Sequence, residues 1–154
     1  MPEPILIDRR QLIIAAAMIT AAPFSATAQI DVSPQFIAAR KALLAGRRVT
    51  AGRIVLDIPR LAESGNSVPI KVTVDSPMTE ADHVRTLHVL SERNPIASIA
   101  RFQLGPRAGR AEVATNIRLA TTQNVHVVAE MSDESLWEVS AEVVVLIAAC
   151  LDGT

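Results

Sequence analysis

Val68-Pro69-Ile70-Lys71-Val72-Thr73-Val74-Asp75 decides the fold. Apolar residues, mostly β-branched, take every second position and other residues fill the gaps. That is the period of a strand with one buried and one wet face. A helix would bring its apolar residues back every three or four positions. Pro69 lies near the start, where a missing ladder donor is tolerated, and Asp75-Ser76-Pro77 breaks the run. Upstream, Ile54 to Ile58 reads as a short strand stopped by Pro59, and Glu63-Ser64-Gly65-Asn66-Ser67 as a turn. Downstream the period returns in Val84 to Leu90, with Leu87 and Val89 inward, then at Ala100, Phe102 and Leu104. It recurs at Val113, Thr115, Ile117 and Leu119, and at Val125, Val127 and Ala129. The longest run is Trp137, Val139, Ala141, Val143, Val145 and Ile147. Asn94-Pro95, Gly105-Pro106 and Met131 to Ser135 supply the turns. About seven strands at this spacing predict an all-β, immunoglobulin-like antiparallel sandwich. A parallel α/β sheet would need helical runs between the strands, and none is visible.

One short helix precedes the strands. Ser33 fits an N-cap and Pro34 the first helical position. Phe36, Arg40, Leu43 and Leu44 follow at helical spacing, and Gly46 fits a terminator. Its apolar face is modest, so it should pack on the domain.

Ahead of it, Arg9-Arg10 is followed by an apolar run from Leu12 to Ala22, then Pro23 and Ala26-Thr27-Ala28. The run is about half of what a spanning helix needs, and Ala26-Thr27-Ala28 fits a signal cleavage site. Residues 1–28 are therefore expected to be a cleavable signal peptide, with residues 29–154 as one mature domain. The paired arginines point to the twin-arginine route. Asp8 and Leu12 depart from that pattern, and the general secretory route is the alternative. Either route delivers a bacterial periplasmic protein, with no membrane attachment after cleavage.

Composition excludes several function classes. Among 154 residues, Lys and Arg number 15 and Asp and Glu 16, for a net charge of −1. A protein that binds nucleic acid by neutralising phosphates would carry a basic excess. One cysteine excludes an internal disulfide framework and any multi-cysteine metal site. His83, His88 and His126 are scattered without metal-ligand spacing, and His126 falls on the solvent parity of its strand. Asp75, Glu80 and Asp82 cluster without the EF-hand spacing, which fits turn and capping duty. Gly105 to Gly109 lacks the Gly-Lys-Ser/Thr ending of a phosphate loop. No catalytic, cofactor-binding or metal-binding residues are expected.

Cys150 stands apart by its position. It follows the last strand and lies four residues from the end. An unpaired cysteine on an exposed tail of an exported protein is a reactive thiol or an intermolecular partner. A cysteine packed inward is inert. With Asp152 close by and no nearby Lys, Arg or His, its thiol should keep a value of about 8.5 or slightly higher. Such a thiol is a poor catalyst alone and suits a passive carrier activated inside a partner's cationic site.

Taken together, the mature region resembles the SoxY family, carrier subunits of the periplasmic sulfur-oxidising (Sox) system. The resemblance is carried by Gly65-Asn66-Ser67-Val68-Pro69, Val74-Asp75-Ser76-Pro77-Met78-Thr79-Glu80-Ala81-Asp82, Asn94-Pro95 and Phe102. It continues through Ala111 to Thr115, Ile117 to Ala120, Ala129 to Asp133 and Trp137. It implies a heterodimer with a SoxZ-like subunit and a covalent sulfur attachment point at Cys150. It also implies Sox enzymes that act on the bound sulfur, the carrier performing no turnover. The family's tail ends Gly-Gly-Cys-Gly-Gly, whereas this one reads Ala148-Ala149-Cys150-Leu151-Asp152-Gly153-Thr154. Alanines stiffen an approach that glycines would leave free. If the last strand ends at Ile147, Cys150 reaches about 10 Å beyond it. Two alternatives follow. The chain could be a SoxY-like interaction subunit that has lost shuttling, or an independent thiol enzyme, which would need a base near Cys150. Leu136, Val144 and Leu146 fall on the outer parity of the last strand. A partner could cover them, or the N-terminal helix could.

Overall fold

A computed structural model describes residues 32–149. The signal-peptide expectation and Cys150 lie outside the described residues. Helix α1 (Pro34–Leu44) starts where the sequence places it: the Ser33 hydroxyl accepts from the Phe36 amide at 3.1 Å, with Pro34 in the first turn. It ends through Ala45 in the left-handed region (φ 46°), followed by Gly46 at φ 81°.

Strands β1 (Val49–Ala51), β2 (Ile54–Asp57), β3 (Leu61–Ser64), β4 (Val68–Val74) and β5 (Val84–Ser91) follow. Then come β6 (Ser98–Gln103), β7 (Glu112–Ile117), β8 (Gln123–Met131) and β9 (Leu136–Ile147). They form two sheets. The smaller has the order β2-β4-β7 and is antiparallel throughout. The larger runs β1-β9-β8-β5-β6, with β3 also on β9. Val68, Ile70, Val72 and Val74 are all buried, as their alternation requires. They face Leu87, Val89, Val125, Val127 and Ala129 across the sandwich. Pro69 pairs with Asn116 of β7, beyond the last residue that β2 pairs with, so its missing N–H leaves no gap between β4 and β2.

Two strands were not anticipated. β1 and β3 are three and four residues long, and both lie parallel to β9 along one edge. Glu63 and Ser64, read as part of a turn, belong to β3. Strands this short carry no period of their own, and their pairing is set by the twelve-residue β9.

Helix α1 covers the outer face of the larger sheet. Phe36 packs there with Leu90, Ala97, Val128 and Leu136, a second apolar layer behind the main core. The outer parity of β9 therefore divides. Leu136 is buried under the helix, while Val144 and Leu146 remain exposed with Leu61 and Ile147.

Candidate functional site

The described chain ends beside β3, and its last residues are held rather than loose. Beyond β9, the Ala149 amide donates to the Leu119 carbonyl at 3.2 Å, and Ala149 is only 8% exposed. Gly65 joins both partners: its amide donates to the Ile147 carbonyl and its carbonyl accepts from the Leu119 amide, each at 2.8 Å. The stem of the tail is thus tied to the turn after β3 and to the segment after β7. Ile147 ends the last strand, as expected. Beyond that end the anchorage continues to Ala149, the last described residue. Only one peptide separates that anchor from Cys150.

Buried polar side chains hold the Leu119 segment. Asn94 donates from Nδ2 to the Arg118 carbonyl at 2.8 Å. Its Oδ1 accepts from the Ala120 amide at 3.0 Å and from Gln123 Nε2 at 2.8 Å. The Gln123 Oε1 accepts from the Arg93 amide at 2.7 Å. Further along, the Thr122 hydroxyl accepts from the Val145 amide of β9 at 3.0 Å. Asn94-Pro95 was legible as a turn, but not as the support of the segment that receives the tail.

The histidines do not converge. His83 lies in the turn before β5, with Nδ1 2.9 Å from the Thr79 carbonyl. His88 points from β5 toward Glu130, with Nε2 at 3.9 Å and no hydrogen-bond partner; burial, aided by Arg101, pushes its imidazole below the ordinary value. His126 corrects the expectation of a solvent-facing ring. Helix α1 covers that face, and Phe36 lies 4.8 Å from the ring, centroid to centroid. Its two nitrogens contact Glu138 and Glu92, each at 3.0 Å. Arg40 of the helix closes the cluster on Glu138 at 2.6 Å. No three His, Cys, Asp or Glu side chains gather in a metal-binding arrangement among the described residues. Asp82 pairs with Arg53 at 3.0 Å, and its backbone closes a turn with Thr79.

This cluster fixes a pH dependence. The hydrogen bond from His126 pulls the Glu138 carboxyl down from 4.5 to about 2, against burial and with help from Arg40. Burial opposes charge on His126, but the hydrogen bonds to Glu138 and Glu92 outweigh it and raise the imidazole above 6.5. A depressed carboxyl stabilises the fold above its unfolded value and loses that contribution as pH falls toward its folded one. A raised imidazole does the reverse, and its contribution disappears as pH rises through its folded value. Stability is therefore expected to peak roughly between pH 5 and 6.5. The Glu138 shift gives a ceiling of about 3 kcal/mol, which partial solvent access reduces to about 1–2 kcal/mol. Urea midpoints across the pH range check this: His126→Gln should flatten the alkaline decline and shrink the acid one to the part that Arg40 sustains. An unchanged alkaline limb would refute the assignment.

Known proteins place the fold. No curated protein matches the sequence. Among solved structures, the chain is similar to the sulfur carrier protein SoxY from Chlorobium limicola f thiosulfatophilum, at 25% identity and a TM-score of 0.60, covering 73% of this chain and 97% of that one. A superoxide reductase (neelaredoxin) from Ignicoccus hospitalis shares the fold at 18% identity and a TM-score of 0.53, over 61% and 80% of the two chains. A putative superoxide reductase from Thermotoga maritima does so at 20% and 0.54, over 63% and 93%. The last two likenesses concern the fold alone. The model of the family described as sulfur oxidation protein SoxY matches residues 40–150, from the middle of α1 through both sheets to the cysteine, and the chain belongs to that family.

Proposed function

We propose that this chain is a periplasmic sulfur carrier that holds thiosulfate-derived sulfur covalently on Cys150 and presents it to Sox enzymes as a heterodimer with a SoxZ-like subunit. The observation that carries this reading is the extent of the family match, which runs to residue 150. Joining the Cys150 thiol to thiosulfate forms a sulfur–sulfur bond and releases one proton. Two electrons pass to an acceptor in the partner enzyme. Water then cleaves the terminal sulfonate, leaving sulfate, a proton and a persulfide on the cysteine. The carrier supplies the sulfur atom that is extended and restored, and partner enzymes supply the catalysis.

The exposed Leu61, Val144, Leu146 and Ile147 along β3 and the end of β9 support a covering subunit. Protein isolated from cells growing on thiosulfate should carry reductant-labile sulfur adducts on Cys150, read by mass spectrometry. A uniformly bare thiol under those conditions counts against the carrier role. The second reading, an interaction subunit without shuttling, is favoured by the pinned Ala149 and the glycine-poor tail. It predicts the bare thiol together with an intact heterodimer.

A further inference from the structure

We propose that Gly65 is a positioning residue for the cysteine-bearing tail: it makes room for a clasp that holds the tail's stem against the domain. Gly65 is buried at the end of β3 and is not in the left-handed region, so its backbone angles do not demand glycine. Space does. A Cβ at this position would overlap the Leu119 carbonyl oxygen, and would stand 3.0 Å from the Ala149 amide nitrogen and 3.1 Å from Val145 Cγ1. Any side chain here must therefore push apart the two segments that meet over Gly65. Those segments are the halves of the clasp: Leu119 receives the Ala149 amide, and Gly65 itself bonds to Ile147 and Leu119.

The functional meaning rests on the carrier reading. With Ala149 held, the Cys150 sulfur stays within about 6 to 7 Å of the Ala149 Cα. Opening the clasp frees Ala148 and Ala149 and adds about 7 Å of chain. A closed clasp requires a partner to approach the edge formed by β3 and the Leu119 segment. An open one allows a partner to take up the tail alone. The stem is thus the element that sets how deep an active site the thiol can enter.

The test compares alkylation of Cys150 by a small maleimide and by a bulky polymer-linked maleimide, on the purified, reduced chain. The ratio of the two rates reports how closely the sulfur is held to the domain, and no sulfur substrate is involved. Ala149→Pro removes the amide that bonds to Leu119 and leaves both sheets untouched. It should raise the bulky-reagent rate relative to the small one by about tenfold, the scale of one net hydrogen bond. Gly65→Ala should do the same, and should also abolish the hydrogen-exchange protection that the bond to Leu119 is expected to give the Ala149 amide in the parent chain. If Gly65→Ala fails to fold, the proline variant decides alone. A parent ratio equal to that of an unstructured cysteine peptide overturns the proposal, as does a ratio unmoved by Ala149→Pro. Failure of the carrier reading is seen separately, as missing adducts in cells, and leaves these rates unchanged.

Discussion

Cys150→Ser is expected to reduce thiosulfate-dependent sulfur oxidation to background in cells whose only copy carries the change, with thermal unfolding of the protein unmoved. The substitution exchanges one atom, sulfur for oxygen, in a side chain of nearly the same shape. Stability should therefore change by less than about 0.5 kcal/mol. The chemistry changes completely. An unperturbed thiol is a few per cent thiolate at neutral pH and is intrinsically nucleophilic. A serine hydroxyl provides no sulfur to which a sulfane sulfur could be joined, and no persulfide from which it could be released. Oxidation should be lost while pull-down of the SoxZ-like subunit persists, because Leu61, Val144, Leu146 and Ile147 are unaltered. Persistent oxidation in the serine strain would remove the carrier role and leave the interaction subunit as the surviving reading.

The sandwich was legible because its strands are long enough to show a period. Val68 to Val74 and Trp137 to Ile147 span seven and eleven residues, and each alternation maps onto a buried or partly buried face, except that the last member, Ile147, is exposed. Helix α1 was legible from its cap, since Ser33-Pro34 is a local signal with a local cause. What escaped depends on contacts between distant segments. The three residues of β1 and the four of β3 become strands only because β9 offers them an edge. Strand parity placed His126 outside, correctly with respect to the main core, but parity does not know that a helix lies on that face. Burial there comes from Phe36, ninety residues away in sequence, and the charge pairing from Glu92, Glu138 and Arg40. Gly65 carried part of the family resemblance but gave no hint of why a glycine stands there. That reason is a crossing of three backbone segments, from residues 65, 119 and 147 to 149. Of the candidate sulfur site, Cys150 was legible only as an expectation and lies outside the described residues. That cysteine is a single conspicuous residue in the sequence, while the stem before it is held by backbone groups without a sequence signature.

Asn94→Ala should be among the most destabilising single changes in the described domain. The side chain is almost fully buried at 4% exposure and makes three hydrogen bonds, to the Arg118 carbonyl, the Ala120 amide and Gln123 Nε2. Truncation removes all three at once and leaves the Gln123 amide group, itself fully buried, without its acceptor. A lost buried partner costs about 1–3 kcal/mol because the stranded group has already given up its water. Partial relaxation of the exposed Arg118 limits the sum to about 3 kcal/mol. For a domain of this size that is a fall of about 10 °C in the unfolding midpoint. Asn66→Ala, at an exposed position in the turn after β3, should change stability by less than about 0.5 kcal/mol. The same change reaches the tail, because Asn94 holds the segment whose Leu119 carbonyl receives Ala149. Hydrogen exchange at Ala149 should therefore accelerate in Asn94→Ala under conditions where the β4 and β8 amides remain protected. A midpoint within about 2 °C of the parent would mean that the Leu119 segment is held mainly by Thr122 and β9, and that Asn94 is a bystander.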